Sequence, residues 1–254
     1  MKYDRTISLI GEAAFERLQQ TKVILFGVGG VGGWCAEALV RTGIQHLTIV
    51  DFDLVADTNI NRQVVATAAN IGLPKVEQMR ERLLSICPKA DIVAINQRYT
   101  VETAAEFDLS QYDIIIDAID SVDDKILLIH NATATEATLF SSMGAGRKLD
   151  PQSVRVAEFW KVEGCPLARA LRTKMKKSGV LPLHKFQCVY SAEKSLSAEG
   201  GLTAQRSACT SSPSGGGLVG ALGSLAPVVG TFGFTLASLT INTILTTYNY
   251  KLKN

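Results

Sequence analysis

The chain has 254 residues, 46% of them hydrophobic, and a formal net charge of +2 at pH 7. This length allows one large α/β domain, or one domain with an appendage, and the small net charge excludes overall charge as a guide to a partner. Five scattered cysteines without a C-x-x-C pair exclude a complete disulfide framework and a paired-cysteine zinc site. The N-terminal residues carry both signs of charge and no apolar run, so we expect no secretory signal and a cytoplasmic location.

Strands and helices are predicted to alternate along the first 150 residues. Short apolar runs indicate buried strands at 22–27, 46–50, 90–95, 113–117 and Thr138–Ser142. Helical spacing of apolar residues indicates a helix over 31–41 and another whose first turn contains Pro74. This alternation predicts a Rossmann-like, doubly wound and mostly parallel sheet with helices on both faces.

The sequence changes character after Gly146, which predicts a smaller C-terminal extension. We expect a strand over 153–160, a basic helix over 166–177, and a Ser-, Ala- and Gly-rich loop over 191–214. We therefore predict a nucleotide-binding adenylation core at 1–150, with 151–254 as a substrate-binding and dimerisation region that continues the same domain.

No charged residue and no histidine occur between residues 207 and 250. Residues 218–245 are largely apolar and long enough to span a bilayer, although Pro227 and several glycines interrupt them. We predict that this segment ends in a buried core or dimer-interface helix. Membrane association through 218–245 is the alternative, since hydropathy alone does not distinguish the two.

A glycine-rich turn follows the first predicted strand, where Gly27-Val28-Gly29-Gly30-Val31-Gly32 contains the pattern G-x-G-x-x-G. Glycine allows a tight turn and close approach of the backbone to phosphate, and the following helix N-terminus attracts negative charge. Asp51 ends the next strand, near the spacing expected for a carboxylate that binds ribose hydroxyls. The pattern predicts a site for a dinucleotide such as NAD or for ATP. A glycine turn needed only for packing is the alternative.

The residues beyond Asp51 favour ATP over NAD. They supply two amides, a guanidinium and an ammonium, at Asn59, Gln63, Arg62 and Lys75. Cleavage of a triphosphate requires such groups because charge on the phosphate oxygens must be neutralised, whereas hydride transfer does not. Asp120 follows a buried strand, at the end where ligands of α/β proteins bind, and its carboxylate suits magnesium. We therefore expect ATP with Mg²⁺.

Positive charge is concentrated between residues 147 and 194, which contain eleven Lys or Arg against four Asp or Glu. Five of these cations fall close together in the predicted basic helix, at Arg169, Arg172, Lys174, Lys176 and Lys177. A local basic excess fits a polyanion such as RNA, and a basic helix can follow a phosphate backbone. An ordinary solvated helix face is the alternative.

Together these motifs resemble the ubiquitin-activating superfamily of adenylating enzymes, in particular its small homodimeric bacterial members. The resemblance covers about the first half of the chain, and residues 223–230 also resemble the glycine-proline element before that family's final helix. The matching positions are Arg5, the glycine turn, Asp51, Asp53, Val55, Asn59, Arg62, Gln63, Lys75, Asp117 and Asp120.

The resemblance implies a role for each of these residues. The glycine turn would hold the phosphates, Asp51 would bind ribose, and Asp120 would serve Mg²⁺. Arg5 would reach into the neighbouring subunit's site, which implies a homodimer. The residues implied to line the triphosphate are Asn59, Arg62, Gln63 and Lys75. The residues implied in catalysis are Arg5, Arg62, Lys75 and Asp120.

Within the superfamily, the chain is most similar to dehydratases that act on threonylcarbamoyladenosine in tRNA. The similarity rests on the segments 41–44, 117–122, 144–151 and 231–234. It implies adenylation of a carboxylate, followed by cyclisation with loss of water. It also implies tRNA, not DNA, as a partner, and it leaves a sulfur-transfer or other protein partner open. From its positive charge, we expect the basic helix to be the place where tRNA docks.

Two other functions remain to be distinguished. An adenylyltransferase for the C-terminal Gly-Gly of a small sulfur-carrier protein would share most of these motifs, but such enzymes usually have the paired C-x-x-C that this sequence lacks. A non-enzymatic NAD-sensing or scaffold protein would not need Arg62, Lys75 or Asp120.

Overall fold

The chain folds around a seven-stranded sheet in a computed structural model, which describes residues 2–194 and 223–247. The strands are β1 (Lys22–Phe26), β2 (His46–Asp51), β3 (Asp91–Asn96), β4 (Ile114–Asp117), β5 (Thr138–Ser142), β6 (Val154–Glu158) and β7 (Gln187–Ser191). The helices are α1 (Asp4–Ile10), α2 (Glu12–Gln20), α3 (Gly30–Thr42), α4 (Lys75–Ile86), α5 (Val122–Ala132), α6 (Pro166–Ser178) and α7 (Ala226–Thr247).

The strand order is β3-β2-β1-β4-β5-β7-β6, and every neighbouring pair is parallel except β6 with β7. The central strand β4 is buried along its whole length because both its faces are covered. The chain moves outward from β1 to β3 and then returns to β4 on the other side of β1. This reversal opens a crevice at the carboxyl ends of β1 and β4, where ligands of such sheets bind. The predicted doubly wound, mostly parallel sheet is confirmed.

The two faces of the sheet have separate apolar cores. On one face, α3, α4 and α7 pack against the sheet, with Leu25, Leu39 and Phe232 among the buried residues. On the other face, α5 and α6 contribute Leu128 and Leu171 to the second core. The carboxyl edge of the sheet thus lies between two rigid layers, which fixes the positions of the turns that follow each strand.

The C-terminal helix α7 packs along α3 at a distance that only glycine permits. A Cβ on Gly233 would lie 2.5 Å from the carbonyl oxygen of Val31 and 2.8 Å from Cβ of Trp34. By length and composition α7 could cross a membrane, but 56% of its most apolar window is buried inside the protein. In the structure, the helix is therefore a core element with one partly exposed face.

Several predicted boundaries were wrong. Pro74 was predicted within the first turn of a helix, but α4 begins one residue later, at Lys75. Pro74 is the N-cap residue and has an extended backbone. The strand predicted over 153–160 is shorter, since a 3₁₀ turn follows Glu158. Ser191 is the last residue of β7 and not the start of a loop, and residues 195–214 and 218–222 of the predicted segments lie outside the described residues.

Candidate functional site

The three glycines of the G-x-G-x-x-G pattern serve different purposes in the turn between β1 and α3. Gly27 has φ +89°, and a Cβ there would lie 2.7 Å from the carbonyl oxygen of Ala118. A Cβ on Gly32 would lie 1.8 Å from the carbonyl oxygen of Gly27, so Gly32 is required for packing. A Cβ on Gly29 would have only Gln63 Nε2 nearby, at 3.8 Å. The turn is therefore open at Gly29, where a phosphate can approach the backbone.

Asp51 fixes this turn from the end of β2. Its carboxylate accepts the backbone N–H of Val28 at 2.7 Å and that of Asp53 at 2.9 Å. Burial raises the pKa of Asp51 above its ordinary value, and the two hydrogen bonds and the charge of Lys75 oppose this only in part. One lone pair on each carboxylate oxygen remains for a ligand hydroxyl, so the ribose role of Asp51 stays a prediction that the geometry allows.

Lys75 lies beside this carboxylate at the start of α4. Its buried ammonium donates to Oδ2 of Asp53 at 2.7 Å, and its backbone N–H donates to the carbonyl of Asp53 at 3.0 Å. Since Asp53 also donates to Asp51, the three residues form one connected group. The structure thus places Lys75 next to the predicted ribose acid, and its contact with the triphosphate stays a prediction.

Asn59, Arg62 and Gln63 are brought together by a 3₁₀ turn at Asp57–Asn59. Asn59 Oδ1 accepts the backbone N–H of Ala56 at 3.1 Å, so this amide caps the turn. The Arg62 guanidinium donates to the carbonyl of Thr58 at 2.7 Å. Gln63 is buried, and its Oε1 has no hydrogen-bond partner. A buried polar atom of this kind normally has a partner, and because an amide oxygen accepts, that partner would have to be a donor such as a hydroxyl.

The two carboxylates of Asp117-x-x-Asp120 have separate environments. Asp117 is fully buried and accepts from Ser141 Oγ at 2.7 Å, and Lys125 Nζ lies 2.8 Å from its Oδ2. Asp120 is exposed, three residues beyond the end of β4 at the carboxyl edge of the sheet. Asp120 is therefore the carboxylate of this motif that a metal ion in the crevice can reach.

Arg98 lies beside the predicted site, and the sequence analysis did not single it out. Its Nε donates to Asp124 Oδ2 at 2.8 Å, and its guanidinium lies 5.4 Å from the centre of the Phe52 ring. The hydrogen bond to Asp124 and the charge of Asp120 raise the pKa of Arg98 above its ordinary value. Arg98 thus links the turn after β2 to the first turn of α5, across the crevice.

The segment 144–151 lies at the same edge, directly after β5. Arg147 has φ 58° and donates its backbone N–H to the carbonyl of Gly223 at 2.8 Å. The buried Lys148 donates to the carbonyl of Glu193. Asn61 Nδ2 donates to the carbonyl of Ser224 at 2.9 Å, so residues 223–224 connect this segment to the turn that carries Arg62.

The five predicted RNA-binding cations on α6 do not form one stripe. Arg169, Arg172 and Lys176 line a groove of about 390 Å³ between α6 and residues 162–165. Within it, Arg172 donates to the carbonyls of Trp160, Val162 and Ala168 at 2.8, 2.6 and 3.2 Å, so its guanidinium holds the groove wall. Lys174 instead pairs with Asp123 of α5, and Lys177 is exposed near the end of the helix.

Arg5 is exposed on α1, which packs against α2. Its predicted action in a neighbouring subunit stays a prediction. The buried Cys35 and Cys188 have pKa values well above the ordinary range because burial disfavours the thiolate, so neither is suited to nucleophilic attack.

Comparisons with known proteins place the chain in a family. A model of the ThiF family matches residues 3–254. A tRNA threonylcarbamoyladenosine dehydratase of Escherichia coli is 34% identical over 93% of this chain and 91% of its own length. The solved structure of that E. coli dehydratase in complex with ATP superimposes with a TM-score of 0.84 at 30% identity, covering 98% of this chain and 96% of that chain. A molybdopterin-synthase adenylyltransferase of Haemophilus influenzae is 31% identical over 60% of this chain and 62% of its own length. This chain belongs to the ThiF family.

Proposed function

We propose that the protein is an ATP-dependent dehydratase of threonylcarbamoyladenosine in tRNA. The observation that carries the proposal is the match to the E. coli dehydratase of that substrate along nearly the whole chain, in sequence and in structure. The adenylyltransferase relative covers a smaller part of the chain. The described site agrees, because its open glycine turn and polar side chains converge at the switch point of the sheet.

The residues of the crevice fit ATP and Mg²⁺. The open approach at Gly29 suits a phosphate, and Gln63 Nε2, a hydrogen-bond donor, lies 3.8 Å from the Cβ position there, where it could donate to a phosphate oxygen. Mg²⁺ is usually held by one or two carboxylates together with phosphate oxygens and water. In residues 2–194 and 223–247 no three His, Cys, Asp or Glu side chains converge, so Asp120 would hold the ion together with ATP. The ion would neutralise phosphate charge.

The reaction follows from the chemistry of the substrate. An oxygen of the threonine carboxylate attacks the α-phosphorus of ATP, and the bond to the β-phosphate breaks with release of pyrophosphate. The activated carbonyl is then attacked from within the same modified base, a ring closes, and AMP leaves. The modified base thus loses one water, and ATP becomes AMP and pyrophosphate. Arg62 and Lys75 would neutralise developing phosphate charge, and the fixed turns would position the reactants.

The groove on α6 is the proposed place for the tRNA backbone. Arg169 is exposed on its wall, and Lys176 lies 5.6 Å from the centre of the Trp160 ring. Cations beside an aromatic ring suit both phosphate and base contacts. Arg172 contributes its charge while its donors hold the wall. Lys174 and Lys177 would contribute only at longer range.

The proposal also includes a cytoplasmic homodimer in which Arg5 acts in the partner's site. The exposed side of α7 supports it, since Phe234 is 52% exposed and Leu225, just before the helix, is 43% exposed. Exposed apolar surface of this kind favours association. A sulfur-transfer or other protein partner would be an addition to this assembly and is not needed for the reaction.

The deciding experiment uses the purified protein, ATP, Mg²⁺ and tRNA that carries threonylcarbamoyladenosine. Nucleoside mass spectrometry is expected to show loss of one water from the modified base, with one AMP formed per product. Unmodified tRNA is the control and should yield no AMP. If instead pyrophosphate is released only when a small protein ending in Gly-Gly is added, the adenylyltransferase alternative is correct, because adenylation of that carboxylate leaves AMP bound to the small protein.

A further inference from the structure

A buried ion pair lies directly beneath the turn that carries Asp120. Asp117 and Lys125 are both fully buried, and Lys125 Nζ lies 2.8 Å from Asp117 Oδ2. Asp117 ends β4 and Lys125 lies in the first turns of α5, so the pair spans the turn at 118–121. Burying two charges has a large desolvation penalty, and such pairs are often no more stable than apolar replacements. Stability alone is therefore a weak reason for this pair.

The pair is part of a hydrogen-bond network around the backbone of the same turn. Lys125 Nζ donates to the carbonyl of Ile119 at 2.8 Å, and the Ile119 N–H donates to Asp117 Oδ1 at 3.1 Å. Ser141 Oγ donates to Asp117 Oδ2 at 2.7 Å. The Lys125 backbone N–H donates to the carbonyl of Ser121 at 3.0 Å. Asp120 is thus flanked by two residues whose backbones are both held by this network.

We propose that Lys125 and Asp117 are positioning residues that direct the exposed carboxylate of Asp120 toward the phosphates and Mg²⁺. The inference rests on the proposed role of Asp120 as metal ligand. Both the N–H and the carbonyl of Ile119 are held by hydrogen bonds, so the position of the Asp120 Cα is restricted. The Cα–Cβ bond of Asp120 therefore has one preferred direction. Substitution of residues that hold a metal ligand in place typically lowers metal affinity or activity about 10- to 100-fold. We expect an effect of that size for this pair.

The test compares Lys125→Met with the double variant Asp117→Asn/Lys125→Met. The single variant leaves a buried carboxylate without its cation and is expected to lose much of its stability. The double variant removes both charges. The Asn amide oxygen in place of Oδ1 can still accept from the N–H of Ile119, and its NH₂ group in place of Oδ2 can donate to Ser141 Oγ. The double variant should therefore fold, while lacking the bond from Lys125 to the carbonyl of Ile119. Glu37→Gln removes the charge of a buried carboxylate that pairs with the partly exposed Arg41 and Arg82, and it is the control for lost stability alone.

Two readouts separate positioning from structural support. Binding of Mn²⁺ to the protein with ATP is followed by electron paramagnetic resonance, and AMP formation is measured as a function of Mg²⁺ concentration. For the folded double variant we expect Mn²⁺ affinity about tenfold weaker and a higher Mg²⁺ requirement, whereas Glu37→Gln should match wild type in both. A folded double variant with wild-type Mn²⁺ affinity and Mg²⁺ requirement would overturn the proposal.

Asp120→Ala distinguishes failure of this inference from failure of the proposed metal site. If the pair acts through Asp120, Asp120→Ala weakens Mn²⁺ binding, and the double substitution has no further effect in that background. If the double substitution weakens binding further by the same factor, Asp120 keeps its role and the inference alone is overturned. If Asp120→Ala leaves Mn²⁺ binding unchanged, the role of Asp120 is wrong and the inference fails with it.

Discussion

Individual glycines of the nucleotide turn are expected to differ in what they contribute. Gly32→Ala would place a Cβ 1.8 Å from a carbonyl oxygen, so we expect a loss of about 3 kcal/mol in the free energy of unfolding from overpacking. Gly29→Ala meets no atom closer than 3.8 Å and should leave stability nearly unchanged. Its methyl group faces the phosphate approach, so ATP affinity should fall by about tenfold or more, or about 1.4 kcal/mol.

Urea unfolding and calorimetric titration with Mg-ATP check these two variants against each other. Each serves as the control for the other, because both add one methyl group to the same turn. Equal losses of stability for Gly29→Ala and Gly32→Ala, or wild-type ATP affinity for Gly29→Ala, would contradict the division of roles.

At this scale the sequence predicted residues whose function follows from a local rule. Asp51 could be named as a candidate because a carboxylate that ends the strand after a glycine turn has the spacing expected of a ribose ligand, and its ribose role stays a prediction. Lys125 and Arg98 were missed because their importance depends on tertiary neighbours. A lysine in a helix is normally exposed, and Lys125 is buried only because Asp117 and the carbonyl of Ile119 lie beneath α5.

Among the elements, α3 and α4 are joined by an ion-pair cluster that predicts a pH dependence of stability. Glu37 on α3 accepts from Arg82 on α4 at 2.5 Å and from Arg41 at 2.9 Å. Burial raises the pKa of Glu37, but the hydrogen bonds from the two arginines outweigh it, so the net pKa is lowered. A lowered pKa means that the stabilisation is present above the ordinary Glu pKa of 4.5 and is lost as the pH falls through the folded-state pKa.

We therefore expect Glu37→Gln to lower the free energy of unfolding by about 1–2 kcal/mol at pH 7. Both arginines are partly exposed, which limits the effect. The difference from wild type should shrink as the pH falls below 4.5, the ordinary Glu value. Urea unfolding at a series of pH values measures it. A difference that stays constant down to pH values well below that point would show that the charge of Glu37 contributes nothing.

Cations on the two sides of α6 are expected to contribute differently to tRNA affinity. Arg169→Ala/Lys176→Ala removes two cations from the groove, so tRNA affinity should fall. In a plot of log affinity against log salt concentration, the magnitude of the slope should decrease by about two. Lys174→Ala/Lys177→Ala removes the same charge outside the groove and should change both less. Arg172 is avoided because its donors hold the groove wall.

Filter binding or fluorescence anisotropy across a salt series provides the measurement. ATP affinity should be unchanged in both pairs of variants. Equal effects of the two pairs would mean that tRNA responds only to overall charge, and no effect of either would place the tRNA on another surface.

Strands with continuous apolar runs and helices with clear periodicity could be predicted from sequence, as β1, β4 and α3 were. β7 was missed because its sequence, Gln-Cys-Val-Tyr-Ser, has no strong apolar run, and its strand structure comes from pairing with β5 on one side and β6 on the other. The antiparallel direction of β6 depends on the same long-range pairing. α5 could have been found from the acidic residues of its first turn, Asp123 and Asp124.

For the whole molecule, we expect a homodimer whose interface includes the exposed side of α7. Phe234→Glu would place a charge at a position that is 52% exposed in the single chain and should shift the protein toward monomer at micromolar concentration. Val101→Glu is the matched control, because Val101 is 77% exposed and lies outside α7. Sedimentation velocity without detergent gives the answer. A monomeric wild-type protein would contradict both the interface and the action of Arg5 in a second subunit.

The close contact between α7 and α3 has a thermodynamic consequence. α3 continues directly from the nucleotide turn, and its first turns pack closely against α7. A Cβ on Gly30 would lie 3.3 Å from Val229, and the Gly233 contact lies one helical turn further along α7. A ligand that stabilises the folded turn also stabilises this packing, and by reciprocity firm packing of α7 raises ligand affinity by the same factor. Amide hydrogen exchange in α7 should therefore slow when ATP binds, and shortening the chain within α7 should weaken nucleotide binding.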